Sequence, residues 1–443
     1  MIDLSPEVLS ILMLAGLLIG IFMGHPIAFV LGGLAVLVGY IDWGPSIFGM
    51  FPTRIYGVMD NYVLLAIPLF IFMAQFLDRS GITEDLFTAL RYLLGPIRGG
   101  LGISVVIVST IFAACTGIIG ASVVTMGLLA LPMMLKYGYD KKLASGVVCA
   151  GGTLGILIPP SIMLVVMAGQ AQLSVGKLFA AAIIPGILLS GLYLLYVAVL
   201  CFFNPDMGPS LSKQERASIS NFKIFTMVSK SLVPPAILIL GVLGSLFTGI
   251  ATPTEASGAG AFLAFLMVIV YRKFSWKGLY QAAVNTATAS TMVLIIVVGA
   301  SCFTGVFLGI GGGKVVTNFV MGLGLSKWGT FWLMMFIVFL LGMFIDWIGI
   351  VLICFPIFLP IAADFGFDPL WFVMMIAINL QTSFLTPPLG YALFYLKGIN
   401  VPGLGITDIY KGIVPFIILM LLGLAICAYF PQTILYLPDV LVR

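Results

Sequence analysis

Charge is what this chain has least of. Asp, Glu, Lys and Arg make up 8% of its 443 residues, against 61% hydrophobic, and there is one histidine. Soluble domains carry about a quarter charged residues, so a soluble globular protein is excluded. A histidine-based catalytic triad could use only His25. Six cysteines (Cys115, Cys149, Cys201, Cys302, Cys354, Cys427) are scattered through apolar segments with no C-x-x-C pair. They read as packing thiols rather than as disulfides or a metal site. There is no nucleotide-binding loop and no basic patch for nucleic acid. The start, Met-Ile-Asp-Leu-Ser-Pro-Glu, is acidic where a secretory signal would be basic, so no signal peptide is expected.

What the chain does have is apolar length. Charge-free runs such as 99–135, 143–176, 178–205, 278–313 and 369–396 fill most of it. A bilayer span needs about 20 apolar residues, so several runs hold two segments. The expected fold class is an all-α polytopic membrane protein in the lipid bilayer, with no sizeable soluble domain.

Pro-Pro pairs interrupt those runs at Pro159-Pro160 and at Pro387-Pro388, 228 residues apart. Proline removes a backbone donor and breaks a helix. Broken helices survive at membrane depth only where protein or a water-filled cavity surrounds them. Matched breaks in two halves point to a transporter's substrate and ion site. The same shift of 228 superimposes Pro132 on Pro360, Tyr137-Gly-Tyr-Asp140 on Phe365-Gly-Phe-Asp368, and Leu157 on Leu385. The ordered set indicates an internal duplication.

A first repeat is therefore expected over 1–203, a linker over 204–230 and a second repeat over 231–443. In the first, spans are read near 8–24, 26–42 and 61–78, an amphipathic stretch near 82–95, an apolar pair at 101–135, a broken helix at 142–170 and a last span near 178–203. In the second, spans near 232–249, 254–271 and 284–306 precede a pair at 329–362, a broken helix at 369–397 and a span near 411–430. Each apolar pair is too short for two full spans and a turn. Two half-helices of about 15 residues, about 22 Å each, fit a re-entrant hairpin; two short tilted spans are the alternative. The first tip would lie at Cys115–Gly120, where glycine permits the turn, and the second near Phe344–Ile350.

Five crossings per half is an odd number, so the repeats are expected to be inverted. Lys and Arg then fall fifteen on one side (from Arg79, Arg91 and Arg98 through Lys213 and Arg216 to Lys397 and Lys411) and five on the other (Arg54, Lys177, Lys314, Lys327 and Arg443). The positive-inside bias puts the linker in the cytoplasm and both termini outside.

Half-helix N-termini suit an anionic substrate. Unwound carbonyls and hydroxyl oxygens suit a hard cation such as sodium. Substrate contacts are expected from Thr116, Ser122, Pro159 and Pro160 in the first half, and from Asn379, Gln381, Ser383, Pro387 and Pro388 in the second. Sodium ligands are expected from Gly117, Gly120, Thr153 and Gly155, and from Asp346, Gly349, Thr382 and Thr386. Small polar residues in membrane helices also serve as packing glue, so each has that second reading. Asp346 has two readings, as a cation ligand or as a brace for the tip. Glu255, Asp140 and Asp368 read as helix caps, His25 as an interfacial structural residue, and Trp328, Trp332, Trp347 and Trp371 as interface anchors.

Ala121-Ser-Val-Val-Thr-Met-Gly-Leu-Leu-Ala-Leu-Pro132, Tyr137-Gly-Tyr-Asp140, Gly152-Thr-Leu-Gly-Ile-Leu-Ile-Pro-Pro-Ser161, Pro253-Thr-Glu-Ala-Ser-Gly-Ala259 and Leu385-Thr-Pro-Pro-Leu-Gly390 resemble the large membrane subunit of tripartite ATP-independent periplasmic (TRAP) transporters. The resemblance covers nearly the whole chain. It implies an ion-transporter-superfamily fold with a scaffold and a moving elevator domain in the bacterial inner membrane. It also implies sodium-coupled import of an organic acid, a periplasmic substrate-binding protein, and a small four-helix membrane subunit as partner. The chain has Ile118 and Ile119 where relatives carry a serine-rich tip. A stand-alone carboxylate or ion transporter of the same superfamily is the alternative. An intramembrane enzyme would need a nucleophile, base or metal cluster at depth, and Asp346 stands without a nearby His or Lys in sequence. A passive channel fits poorly with paired broken elements.

Overall fold

The computed structural model describes residues 4–117, 119–211 and 219–442; Ile118, Lys213, Arg216, Arg443 and the side chains of Cys115 and Thr116 lie outside that description. Every regular element among the described residues is helical. The first half runs α1 (Pro6–Phe22), α2 (Ile27–Trp43), α3 (Ile47–Met59), α4 (Ala66–Arg79), α5 (Ile82–Leu94), α6 (Gly100–Thr116), α7 (Ile119–Lys136), α8 (Lys141–Thr153), α9 (Ile162–Ala171) and α10 (Val175–Phe203). The second runs α11 (Asn221–Phe247), α12 (Pro253–Val270), α13 (Trp276–Gly309), α14 (Gly312–Gly322), α15 (Lys327–Gly342), α16 (Trp347–Asp364), α17 (Pro369–Leu385), α18 (Tyr391–Gly398), α19 (Ile406–Tyr429) and α20 (Gln432–Leu441). Nine helical segments among the described residues are long and apolar enough to cross a bilayer. The chain is a multi-pass membrane protein.

The duplicated aromatic-Gly-aromatic-Asp motif has a physical meaning. Gly138 and Gly366 adopt positive φ (79° and 68°) at the ends of α7 and α16. Tyr139 and Phe367 then donate their N–H groups back to Met134 and Ala362 carbonyls, at 3.0 and 2.9 Å, which satisfies otherwise orphaned C-terminal acceptors. The aspartate that follows starts the next helix. Asp140 accepts from the Lys142 and Leu143 N–H groups (2.9 and 3.0 Å), and Asp368 accepts from the Trp371 N–H (2.8 Å). Both aspartates are caps. Glu255 is one as well: its carboxylate takes the Thr252 N–H at 2.8 Å, and the Thr252 hydroxyl accepts from the Glu255 N–H at 3.3 Å.

The halves differ where their breakers differ. In the first, Asn61 accepts from the Val63 N–H (3.0 Å) and caps a short 3-10 turn, Tyr62–Leu65, so α3 and α4 are separate. At the shift of 228 the counterpart of Asn61 is Ala289, and α13 runs unbroken for 34 residues. Helix α11 starts at Asn221, inside the segment read as linker. The short helices α3, α14 and α20 were not anticipated.

Lipid gives no hydrophobic drive for one helix to bury against another, so close packing has to supply it. Helix α4 packs on α12 and α13, and α2 on α13; separately, α8 packs on α7 and α19, and α17 on α15 and α19. Between α8 and α19 the backbones nearly touch. A Cβ on Gly146 would stand 2.2 Å from the Gly412 carbonyl oxygen, and one on Gly412 would stand 2.2 Å from that of Lys142. Trp371 is buried within this second group, stacked on Phe367, and donates its indole N–H to the Cys427 carbonyl at 3.2 Å. It is a packing residue and not the interface anchor expected of it.

Candidate functional site

The two apolar pairs form antiparallel helix pairs, and each tip meets a broken helix. At the first tip, α6 ends at Gly117, whose φ is +62°. A Cβ there would lie 3.4 Å from the Ile162 nitrogen and 3.5 Å from the Pro160 carbonyl oxygen. The first break leaves α8 at Thr153, makes a 3-10 turn over Leu154–Ile156 and passes through a cis Pro159-Pro160 bond. Ser161 then caps α9, accepting from the Leu164 N–H at 3.4 Å and donating its hydroxyl to the Ile156 carbonyl.

The second site repeats the plan with different chemistry. Asp346 caps α16 at the tip, accepting from the Ile348 N–H at 3.3 Å. The break after α17 contains a cis Pro387-Pro388 bond. Leu389 donates its N–H to the Met343 carbonyl at 3.3 Å, which ties the break to the tip.

One cavity of about 310 Å³ gathers these parts. Gly117, Ile119 and Gly120 come from the first tip, Ile156 and Ile162 from the first break, Asp346 and Trp347 from the second tip, and Tyr391 and Tyr395 from α18. Ile71 of α4 and Met292 and Val293 of α13 close the remaining wall. The Tyr395 ring lies over Gly120, where a Cβ would fall 2.9 Å from it. An element of the second half thus reaches the tip of the first.

A sequence profile of the family described as "Tripartite ATP-independent periplasmic transporter, DctM component" matches residues 11–433. The chain belongs to this family. It resembles the "C4-dicarboxylate TRAP transporter large permease protein DctM" of Pseudomonas aeruginosa, at 31% identity over 408 residues, covering 92% of this chain and 93% of the relative. It also resembles the "Sialic acid TRAP transporter large permease protein SiaM" of Vibrio cholerae, at 29% identity, covering 95% and 96%. Among solved structures, the YdaH transporter of Alcanivorax borkumensis superimposes with a TM-score of 0.67 over 97% of this chain and 100% of that one, at 15% identity. That last likeness is one of fold. The chain is a TRAP large permease, a transporter component and not an enzyme.

Of the residues singled out by sequence in this permease, Gly117, Gly120 and Asp346 line the cavity. Ser122, Thr153, Gly155, Pro159 and Pro160 are buried behind it. Gly349 packs on α2, with Ile27 occupying the space a Cβ would need. Asn379 donates its amide to the Met335 carbonyl at 2.7 Å and ties α17 to α15. Thr382 and Thr386 donate their hydroxyls to the carbonyls of Asn379 (2.6 Å) and Thr382 (2.7 Å), and Thr153 donates to Ala150 (2.9 Å). Each such threonine keeps oxygen lone pairs free. Gln381 is fully buried with neither amide atom hydrogen-bonded among the described residues, and the Ser383 hydroxyl is likewise unpartnered. Pro387 is half-buried and Pro388 exposed. Among the described residues no three His, Cys, Asp or Glu side chains cluster. The oxygens present are hydroxyls, carbonyls and one carboxylate, which suit hard cations.

Sequence reasoning missed the aromatic wall. Trp347 is not an interface anchor but lines the cavity beside the capping acid. Tyr391 and Tyr395 are four residues apart, hence on one helix face, directly after the second double proline; that spacing was the available signal.

Proposed function

We propose that this permease imports an organic acid by sodium-coupled symport, receiving it from a periplasmic binding protein and working beside a small four-helix membrane subunit. The observation that carries this reading is the single cavity walled by both tips, the first break and α18. In a TRAP permease the anion would meet tip N–H groups and the Trp347, Tyr391 and Tyr395 hydrogen-bonding atoms. Sodium would be held at two places: by the Gly117–Gly120 tip with Thr153, Gly155 and the Pro160 carbonyl, and by Asp346 with Thr382 and Thr386. The relatives are named for two unlike acids, so the particular acid is left to the binding protein.

The fold fits two inverted repeats, 1–203 and 231–443, each of five crossings and a re-entrant hairpin, with both termini periplasmic. Helices α1, α2, α4, α11, α12 and α13 would form the scaffold. Helices α6–α9 and α15–α18 would form the elevator that carries the site across.

Reconstitution in liposomes tests this. Uptake of the acid that co-purifies with the binding protein is expected only with a sodium gradient, the small subunit and the loaded binding protein together. Uptake by this chain alone would instead assign it to the stand-alone carriers of the same superfamily.

A further inference from the structure

A second, more polar cavity of about 550 Å³ continues the groove between α9 and α13. Thr53 and Arg54 of α3, Asn61, Gln170 of α9 and Ser301 of α13 line it. Along α13 the lining passes from Val293 in the central cavity to Val297 in this one, one helical turn or about 6 Å. Along α9 it passes from Ile162 to Gln170, about 12 Å. Both cavities are thus lined by the same two helices, α9 and α13.

Arg54 is the basic residue in the lining of these two cavities, and no acid lines the second. It forms no ion pair among the described residues. Its guanidinium is folded back on α13, where a Cβ on Gly305 would stand 2.9 Å from Nε. The side chain is exposed and lies along α13, in a lining that also offers Thr53, Asn61, Gln170 and Ser301. Its planar fork matches a carboxylate in a two-point grip.

We propose that this cavity is an anion-capture site in which Arg54 holds the carboxylate of an incoming substrate before it moves one to two turns down to the central cavity. The place in the transport path rests on the transporter reading above; the binding itself does not.

The test is site-specific. Purified full-length chain is treated with phenylglyoxal, with succinate or benzoate added against chloride at equal ionic strength and without sodium. Adducts are mapped by mass spectrometry. Either carboxylate is expected to slow modification of Arg54 at least about threefold, in line with a charge-assisted hydrogen bond, while Arg79, Arg91 and Arg98 react as before. Equal rates at Arg54 would overturn the proposal. A carboxylate-induced rise in melting temperature that survives Arg54→Gln would overturn it too, and the wild-type protection decides the matter if that variant does not fold. Protection without sodium-driven uptake would leave the anion site standing and remove the transport role; uptake without protection would do the reverse.

Discussion

The two broken helices share a plan and differ in material. The first break is enclosed: Pro159 and Pro160 are buried, and the tip against it is glycine and isoleucine. The second opens outward at Pro388 and Leu389, is braced by an acid at its tip, and follows a helix carrying Asn379, Gln381, Thr382 and Ser383 in full burial. The two halves share the backbone devices, a cis double proline and aspartate caps. The side chains that could hold a ligand diverged. On the proposed reading, the first half would offer a cation mainly carbonyls, and the second would add hydroxyls and a carboxylate.

The largest effect should come from forcing one half's packing on the other. A Cβ on Gly152 would sit 2.3 Å from Val123 Cγ2 and 3.1 Å from the Val123 nitrogen. Its counterpart at the 228 shift is Leu380. Gly152→Leu is therefore expected to cost about 3 kcal/mol or more, since backbone cannot yield as a side chain can. Thermal melting in detergent measures it, and a melt like wild type would show that the first break is not held this tightly. Next comes the pair of proposed sodium sites. Replacing both Thr382 and Thr386 by valine should raise the sodium concentration for half-maximal uptake about tenfold, and Thr153→Val about threefold, each lost oxygen weakening the cation's shell. Sodium titrations of uptake decide it; equal shifts would mean that the halves share the work evenly. The smallest effect concerns Gln381. An unpartnered buried amide is costly, so Gln381→Leu should be neutral or stabilising by about 1 kcal/mol. A clear fall in melting temperature would show that the amide is bonded after all.

The aromatic-Gly-aromatic-Asp turns, both breaks and both helix pairs were legible in the sequence because proline, glycine and capping aspartate act on the backbone, where position alone fixes the effect. The family could be read from the same segments. Side-chain roles were less legible. Helix α17 is buried on every face from Trp371 to Leu385, so no periodicity separates ligand-facing from packing residues, and Asn379 turned out to bind a neighbouring carbonyl. Trp347 and Trp371 misled because tryptophan suits an interface and an interior equally. The short helices α3, α14 and α20 escaped because about ten residues leave little apolar pattern to detect.

The ring of Tyr395 resting on Gly120 has an evolutionary consequence. A residue of the second half occupies the space left by a missing side chain in the first, so neither half can be exchanged with a distant homologue's half by itself. Positions 120 and 395 would be inherited as one trait, and chimaeras joined between the halves should fail unless both are taken from one parent.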